Sequence, residues 1–385
     1  MLNFEYYNPT RILFGEGEIS KLSKFIPANS KVLVLYGGGS IKKTGTLDEV
    51  LAQLKDFEVD TFSGIEANPE YDTLMKAVEK VRKEGFTYLL AVGGGSVIDG
   101  VKFISAAVSY PNDPWEILLT DGNLVKEAVP FGCVLTIAAT GSEMNFGSVI
   151  TRRSIPAKLS FHTEKVFPQF SILDPAKTLT LPDRQISNGI ADSFVHVIEQ
   201  YVTYPVNGKL QDRFAEGILS TLMEEAKEVF EDPENIEIRA NLMWSATMAL
   251  NSLINKGVPQ DWSMHKIAHE FTALYGIDHA KTLAIVLPGV WHIRKGVKQA
   301  KLLQYGERVL GVTEGSIDER IEQIIQKTEE FFHSLGIKTR LPDYNIPEKD
   351  IDLIVNRLVE QGKVPMGEDK AMDAKMIKEI LEDRL

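Results

Sequence analysis

The chain has 385 residues, 44% of them apolar and 25% charged, and a formal net charge of −12. That length exceeds one ordinary core and predicts two domains, while the composition is that of a folded rather than a disordered protein. The negative charge offers no attraction to phosphate backbones or anionic lipid, the start MLNFEYYNPT lacks a secretion signal, and no apolar run could span a bilayer. Nucleic-acid and membrane partners are therefore disfavoured, and a cytoplasmic protein is expected.

In chain order, the first half alternates short β-branched runs with helical stretches, the pattern of a parallel sheet with crossover helices. The runs are Lys31–Tyr36, Phe57–Phe62, Thr87–Val92, Cys133–Ala138 and Phe170–Leu173. Between them, LDEVLAQLK and DTLMKAVEKVRKEG carry apolar residues at helical spacing, and the second is expected to stop at Gly85. Cys133 is the single cysteine, so no intrachain disulfide can form, and its apolar surroundings predict a buried, inert thiol. After Asp174 the texture changes to helical periodicity, with breaks expected near Pro205, Pro233, Pro259, Pro288 and Pro342. Amphipathic helices are expected over Glu314 to Leu335 and Lys375 to Leu385. The expected organisation is an α/β dinucleotide-binding domain over residues 1–180 and an all-helical metal-binding domain over 181–385.

Two strands end in the same tetrapeptide, Gly37-Gly38-Gly39-Ser40 and Gly93-Gly94-Gly95-Ser96, each followed by a helix. Missing Cβ atoms let backbone approach a diphosphate, and the first helical amides point at it. One such turn is as readily a plain strand-to-helix connection, whereas two in one α/β domain favour a nucleotide. Neither is a GxGxxG fingerprint or a P-loop, which argues against a plain Rossmann site and an NTPase. A third turn, Thr140-Gly141-Ser142-Glu143, adds hydroxyls and amides.

In the second half, Asp192 and His196 stand four apart on an expected helix, as do His265 and His269, and His279 follows just beyond Gly276. One carboxylate with imidazoles suits Fe(II) or Zn(II). HKIAHE is not a protease HExxH, because Lys266 replaces the glutamate. Each pair by itself is more often structural than ligating, and spacing does not say which histidine is spared.

These segments together carry a resemblance. NPTRILFG, GGGSVIDG, the TGSE turn, SILDP, the Asp192/His196 pair and HKIAHEFTALYGIDH resemble the iron-containing (group III) alcohol dehydrogenases over essentially the whole chain. DRFAEGILSTL and VPQDW look like the butanol dehydrogenase or broad-range aldehyde reductase branch. The resemblance implies an amino-terminal Rossmann-like domain, a carboxy-terminal helical domain in the two-domain plan of dehydroquinate synthase, and nicotinamide and metal held in a cleft. It places the metal on Asp192, His196, His265 and His279, and leaves His269 as a nearby non-ligand and the candidate proton relay. Cofactor contacts fall on Gly37, Gly38, Gly39, Ser40, Asn68, Gly94, Gly95, Ser96, Asp99, Thr136, Thr140, Ser142, Lys158 and Leu179. Fe(II) is expected, with Zn(II) as alternative, because four protein ligands already fill zinc's preferred tetrahedron and iron accepts a further oxygen donor more readily. NADP(H) is expected over NAD(H), since the first glycine turn carries no carboxylate to repel a 2′-phosphate. The implied activity is reduction of short aldehydes, or oxidation of the corresponding primary alcohols, by a homodimer. Competing expectations are a dehydroquinate-synthase-like or glycerol-dehydrogenase-like enzyme, and a non-catalytic nucleotide-binding protein with a structural metal. The apolar neighbours Phe194, Trp262, Ile267 and Phe271 argue against the polyhydroxylated substrate of the first.

Overall fold

A computed structural model describes residues 1–385. The chain divides into two compact units: a sheet unit of Tyr7–Pro182 with Pro233–Thr247, and a helical unit of Met1–Tyr6, Asp183–Asp232 and Met248–Leu385.

The sheet unit holds strands β1 (Arg11–Phe14), β2 (Lys31–Tyr36), β3 (Glu58–Phe62), β4 (Tyr88–Gly94), β5 (Phe131–Ile137), β6 (Gly147–Arg152), β7 (Ala157–His162) and β8 (Phe170–Leu173). Its helices are α1 (Ser40–Lys43), α2 (Thr46–Gln53), α3 (Tyr71–Glu84), α4 (Gly95–Val108) and α5 (Trp115–Leu119). Six strands form a parallel sheet in the order β1-β8-β5-β4-β2-β3, and β6 and β7 form a separate antiparallel pair. All five expected strands are present. The sequence reading missed β1, a short edge strand with two of its four residues exposed, and the half-exposed β6–β7 pair. Side-chain alternation feeds two cores: Val32, Val34, Leu90 and Val134 pack on one face with Ile19 and Val50, and Leu33, Leu35, Leu89 and Cys133 on the other with α3 and α4. Cys133 is fully buried, and burial pushes its thiol up to about 12, so it is inert at neutral pH.

The order of the strands reverses between β2 and β4, where successive crossovers leave in opposite directions. Their register pairs Tyr36 with Val92, so both glycine turns leave the sheet side by side at its carboxyl edge, where doubly wound sheets bind ligands. Pro233–Thr247 belongs to this unit although it lies beyond residue 180, because Met243 is buried in the α3/α4 core and Trp244 meets Phe14 edge-on at 5.7 Å.

The helical unit comprises α6 (Asp183–Tyr201), α7 (Lys209–Glu228), the end of α8 (Ile236–Ala249), α9 (Ser263–Tyr275), α10 (His279–Arg308), α11 (Ile317–Ser334), α12 (Ile351–Glu360) and α13 (Ala374–Glu382). The expected break at Pro288 is corrected: Pro288 lies inside the 30-residue α10. Its ring removes one intrahelical hydrogen bond, but Leu283 to Leu287 and Val290 to Trp291 are all fully buried, and that packing holds the helix through the defect. The next residue, Gly289, explains the local sequence: a Cβ there would stand 2.6 Å from the Ile380 carbonyl oxygen of α13.

Candidate metal centre and cofactor turns

Helix α6 is buried on almost every side from Ile186 to Tyr201, so its polar residues face protein rather than water. Asp192 and His196 share one face, with His196 Nε2 3.8 Å from Asp192 Oδ1. Helix α9 brings His265, whose Nε2 lies 4.0 Å from the same Asp192 oxygen and whose ring stacks on His196 with centroids 4.7 Å apart. Gly276 ends α9 in the left-handed conformation (φ 67°), which an L side chain rarely adopts, and the tight turn that follows makes His279 the first residue of α10. Asp278, just before it, is fixed by Asn188 at 3.1 Å and Lys281 at 3.1 Å.

One ligand atom each from Asp192, His265 and His279 lies within 4.8 Å of the others. Ligand atoms on one ion with bonds of about 2.1 Å stand ~3.4 Å apart in a tetrahedron, so the 3.8 and 4.0 Å separations, too long for hydrogen bonds, are close to those of a metal's edges. The carboxylate and imidazole donors thus fit a divalent transition metal. Burial, reinforced by His265, pulls His196 down to about 4, so at neutral pH it is the uncharged imidazole that coordination requires. His269, half-buried, keeps its ring 4.9 Å from His279 and 6.3 Å from His265, beside the cluster.

Two residues that the sequence reading did not single out in these roles complete the surroundings. Glu199, fully buried, has one carboxyl oxygen 2.8 Å from His265 Nδ1 and accepts from the His265 backbone N–H at 3.1 Å through the other. Burial and the Asp261 carboxylate raise its proton affinity well above that of an ordinary glutamate, against the pull of the backbone N–H groups of His265 and Met264 and of Lys298. It stands seven residues after Asp192, on the ligand face, and that spacing was a usable signal. Of the four apolar neighbours named above, Trp262 is the one whose ring stands beside the histidine pair, 5.3 Å from His265 and 6.3 Å from His196. Its backbone is left-handed (φ 62°), a strained state for a bulky residue. Phe194 instead packs on Phe331 and Phe332, and Phe271 on Tyr275.

In the sheet unit, Gly37, Gly38 and Gly39 connect β2 to Ser40 of α1; a Cβ on Gly38 or Gly39 would meet nothing within 4 Å, so this turn is open to a ligand. At the β4 turn the protein's own packing demands the glycines: Gly93 faces Val97, Gly94 faces Ile137, and Gly95 abuts the Thr140 side chain. That last contact joins the second and third turns. Ser96 Oγ donates to the Ala67 carbonyl, and Lys158 Nζ to Asn68 Oδ1 at 3.1 Å. Asp99 accepts from Ser142 Oγ at 2.6 Å and the Val149 N–H at 2.9 Å, so it ties α4 to the TGSE turn. Thr136 is buried in β5, and Leu179 caps the short turn after β8. Helix α4 begins at Gly95 with no side-chain cap, and its first amides are the donors that a diphosphate would take.

The family model "Iron-containing alcohol dehydrogenase" matches residues 9–175, and its C-terminal companion matches residues 186–385. The chain is 54% identical over 384 residues to the NADPH-dependent aldehyde reductase YqhD of Escherichia coli, covering 99% of each chain. It is 40% identical to the probable NADH-dependent butanol dehydrogenase 1 of Bacillus subtilis, covering 100% of each. Among solved structures, NADH-dependent butanol dehydrogenase A of Thermotoga maritima superposes with a TM-score of 0.95 at 36% identity, covering 100% of this chain and 99% of that one. The chain belongs to the iron-containing alcohol dehydrogenase family and is an NAD(P)-dependent oxidoreductase.

Proposed function

We propose that the protein is a metal-dependent aldehyde reductase that prefers NADPH, acts on short-chain aldehydes and the matching primary alcohols, and works as a cytoplasmic homodimer. The observation that carries this reading is the convergence of Asp192, His265 and His279 donors within 4.8 Å, with His196 stacked beside them. Asp192, His196, His265 and His279 would hold Fe(II), with Zn(II) as the alternative. With one carboxylate and three neutral imidazoles as donors, a bound divalent ion would keep a positive charge and would polarise a carbonyl toward the hydride that a bound reduced nicotinamide would supply. His269 delivers the proton that the new alcohol oxygen requires, directly or through water. The open β2 turn and the uncapped start of α4 bind the cofactor's phosphates.

The relatives' names divide between NADPH and NADH, so cofactor choice is read from this chain's own turn. The β2 turn bears no carboxylate; of the two acids downstream in α2 that could intrude, Glu49 is held by Lys177 at 2.5 Å and Asp48 is exposed. Lys42 lies over the Tyr36 ring at 5.3 Å, which keeps a positive charge beside the turn. Steady-state oxidation of NADPH and NADH with butanal tests the reading. Butanal-dependent turnover with higher kcat/KM for NADPH is expected, and equal or better efficiency with NADH would refute the cofactor assignment.

A further inference from the structure

Resting on the metal reading above, we propose that Glu199 is a positioning residue of the centre: its carboxylate holds His265 in the Nδ1–H form and so presents Nε2 to the ion. Both carboxylate oxygens are committed to one residue, Oε1 to the His265 backbone N–H at 3.1 Å and Oε2 to the ring Nδ1 at 2.8 Å. The backbone bond sets the rotation of the carboxylate, and the rotated carboxylate sets the imidazole, leaving Nε2 on the side of Asp192 Oδ1. A histidine whose distal nitrogen donates to a carboxylate is a more basic ligand with a fixed tautomer.

The grip is itself anchored. The Glu199 carbonyl accepts from the Asp261 N–H at 2.9 Å, which ties α6 to the segment entering α9. Asp261 is ion-paired to the fully buried Lys298 at 2.8 Å, and Lys298 also reaches Glu368 at 2.8 Å and the Val202 carbonyl at 2.9 Å.

Glutamine cannot substitute, although it is nearly isosteric. A carboxamide has one acceptor oxygen, and the site presents two N–H donors from His265. Either the backbone bond is lost, or the NH2 faces Nδ1 and drives His265 into the Nε2–H tautomer, whose Nε2 cannot ligate. Metal-free wild-type and Glu199→Gln proteins titrated with Co(II) should differ by about 10–100-fold in dissociation constant, with matching unfolding temperatures for the two metal-free forms. Equal affinity and an identical Co(II) spectrum would overturn the role of Glu199 while leaving the metal reading intact, whereas wild type that binds no Co(II) would remove both. Should the metal-free variant fail to fold, 15N-histidine spectra of the zinc-loaded wild type decide the matter. A proton on His265 Nδ1 is expected, and an unprotonated Nδ1 would overturn the proposal.

Discussion

His269 lies beside the cluster, its ring 4.9 Å from His279 and 6.3 Å from His265, and its ring nitrogens are not among the donors of Asp192, His265 and His279 that converge within 4.8 Å. That position suits a group that moves a proton rather than one that holds the ion. His269→Ala is therefore expected to retain stoichiometric metal and lose about 10²–10⁴-fold in kcat, the usual contribution of a general acid; metal analysis beside turnover checks it, and unchanged kcat removes the relay. At the cofactor turn, the two open glycines are not equivalent. Gly39 has φ +99°, so any side chain there is strained, whereas Gly38 is free of that constraint and opens on empty space. Gly38→Asp is accordingly the cleaner probe, and a shift of about tenfold in the NADPH/NADH ratio of kcat/KM, worth ~1.4 kcal/mol, is expected; an unchanged ratio would show that this turn does not read the 2′-phosphate. Helical spacing made Asp192 and His196 a candidate pair in the sequence, but each pair by itself reads as structural, and it is the family resemblance that singles out the four proposed ligands. Glu199 was not seen, because a glutamate in IEQY reads as a solvated charge unless its place on the face of Asp192, seven residues earlier, is weighed.

At the scale of elements, hydrophobic periodicity located the five main strands and the amphipathic α11 and α13, since each buries a single stripe or face. It failed where tertiary packing overrides local preference. Pro288 read as a helix end, yet it sits in a stretch of α10 buried all round, where periodicity carries no information. The Pro288-Gly289 pair has a packing rationale instead, because α13 crosses where Gly289 lacks a side chain. Gly289→Ala would place a methyl 2.6 Å from the Ile380 carbonyl oxygen and 2.9 Å from Arg384 Cδ. The neighbour at closest approach is backbone, so α13 must shift, and a loss of about 1–3 kcal/mol is expected despite alanine's better helix propensity. Thermal or urea unfolding measures it, and an unaltered midpoint would show that α13 yields freely.

Across the whole molecule, the candidate groups fall on different units: the glycine-rich turns proposed for the cofactor's phosphates on the sheet unit, and the carboxylate and histidines on the helical one. Family models match on either side of the same junction, at residues 9–175 and 186–385. The texture of the sequence changes after Asp174, and the helical unit's first long segment starts at Asp183, because a parallel sheet and a helical bundle impose different periods on the chain. The return of Pro233–Thr247 to the sheet unit was illegible, since a helix that packs elsewhere keeps the same period. The central claim, that hydride transfer here depends on an ion held by Asp192, His196, His265 and His279, is tested by stripping the metal with a chelator and restoring it under anaerobic conditions. Metal-free protein is expected still to bind NADPH but not to oxidise it with butanal, and Fe(II) is expected to restore turnover more fully than Zn(II); undiminished butanal reduction by verified metal-free enzyme would rule out a catalytic ion.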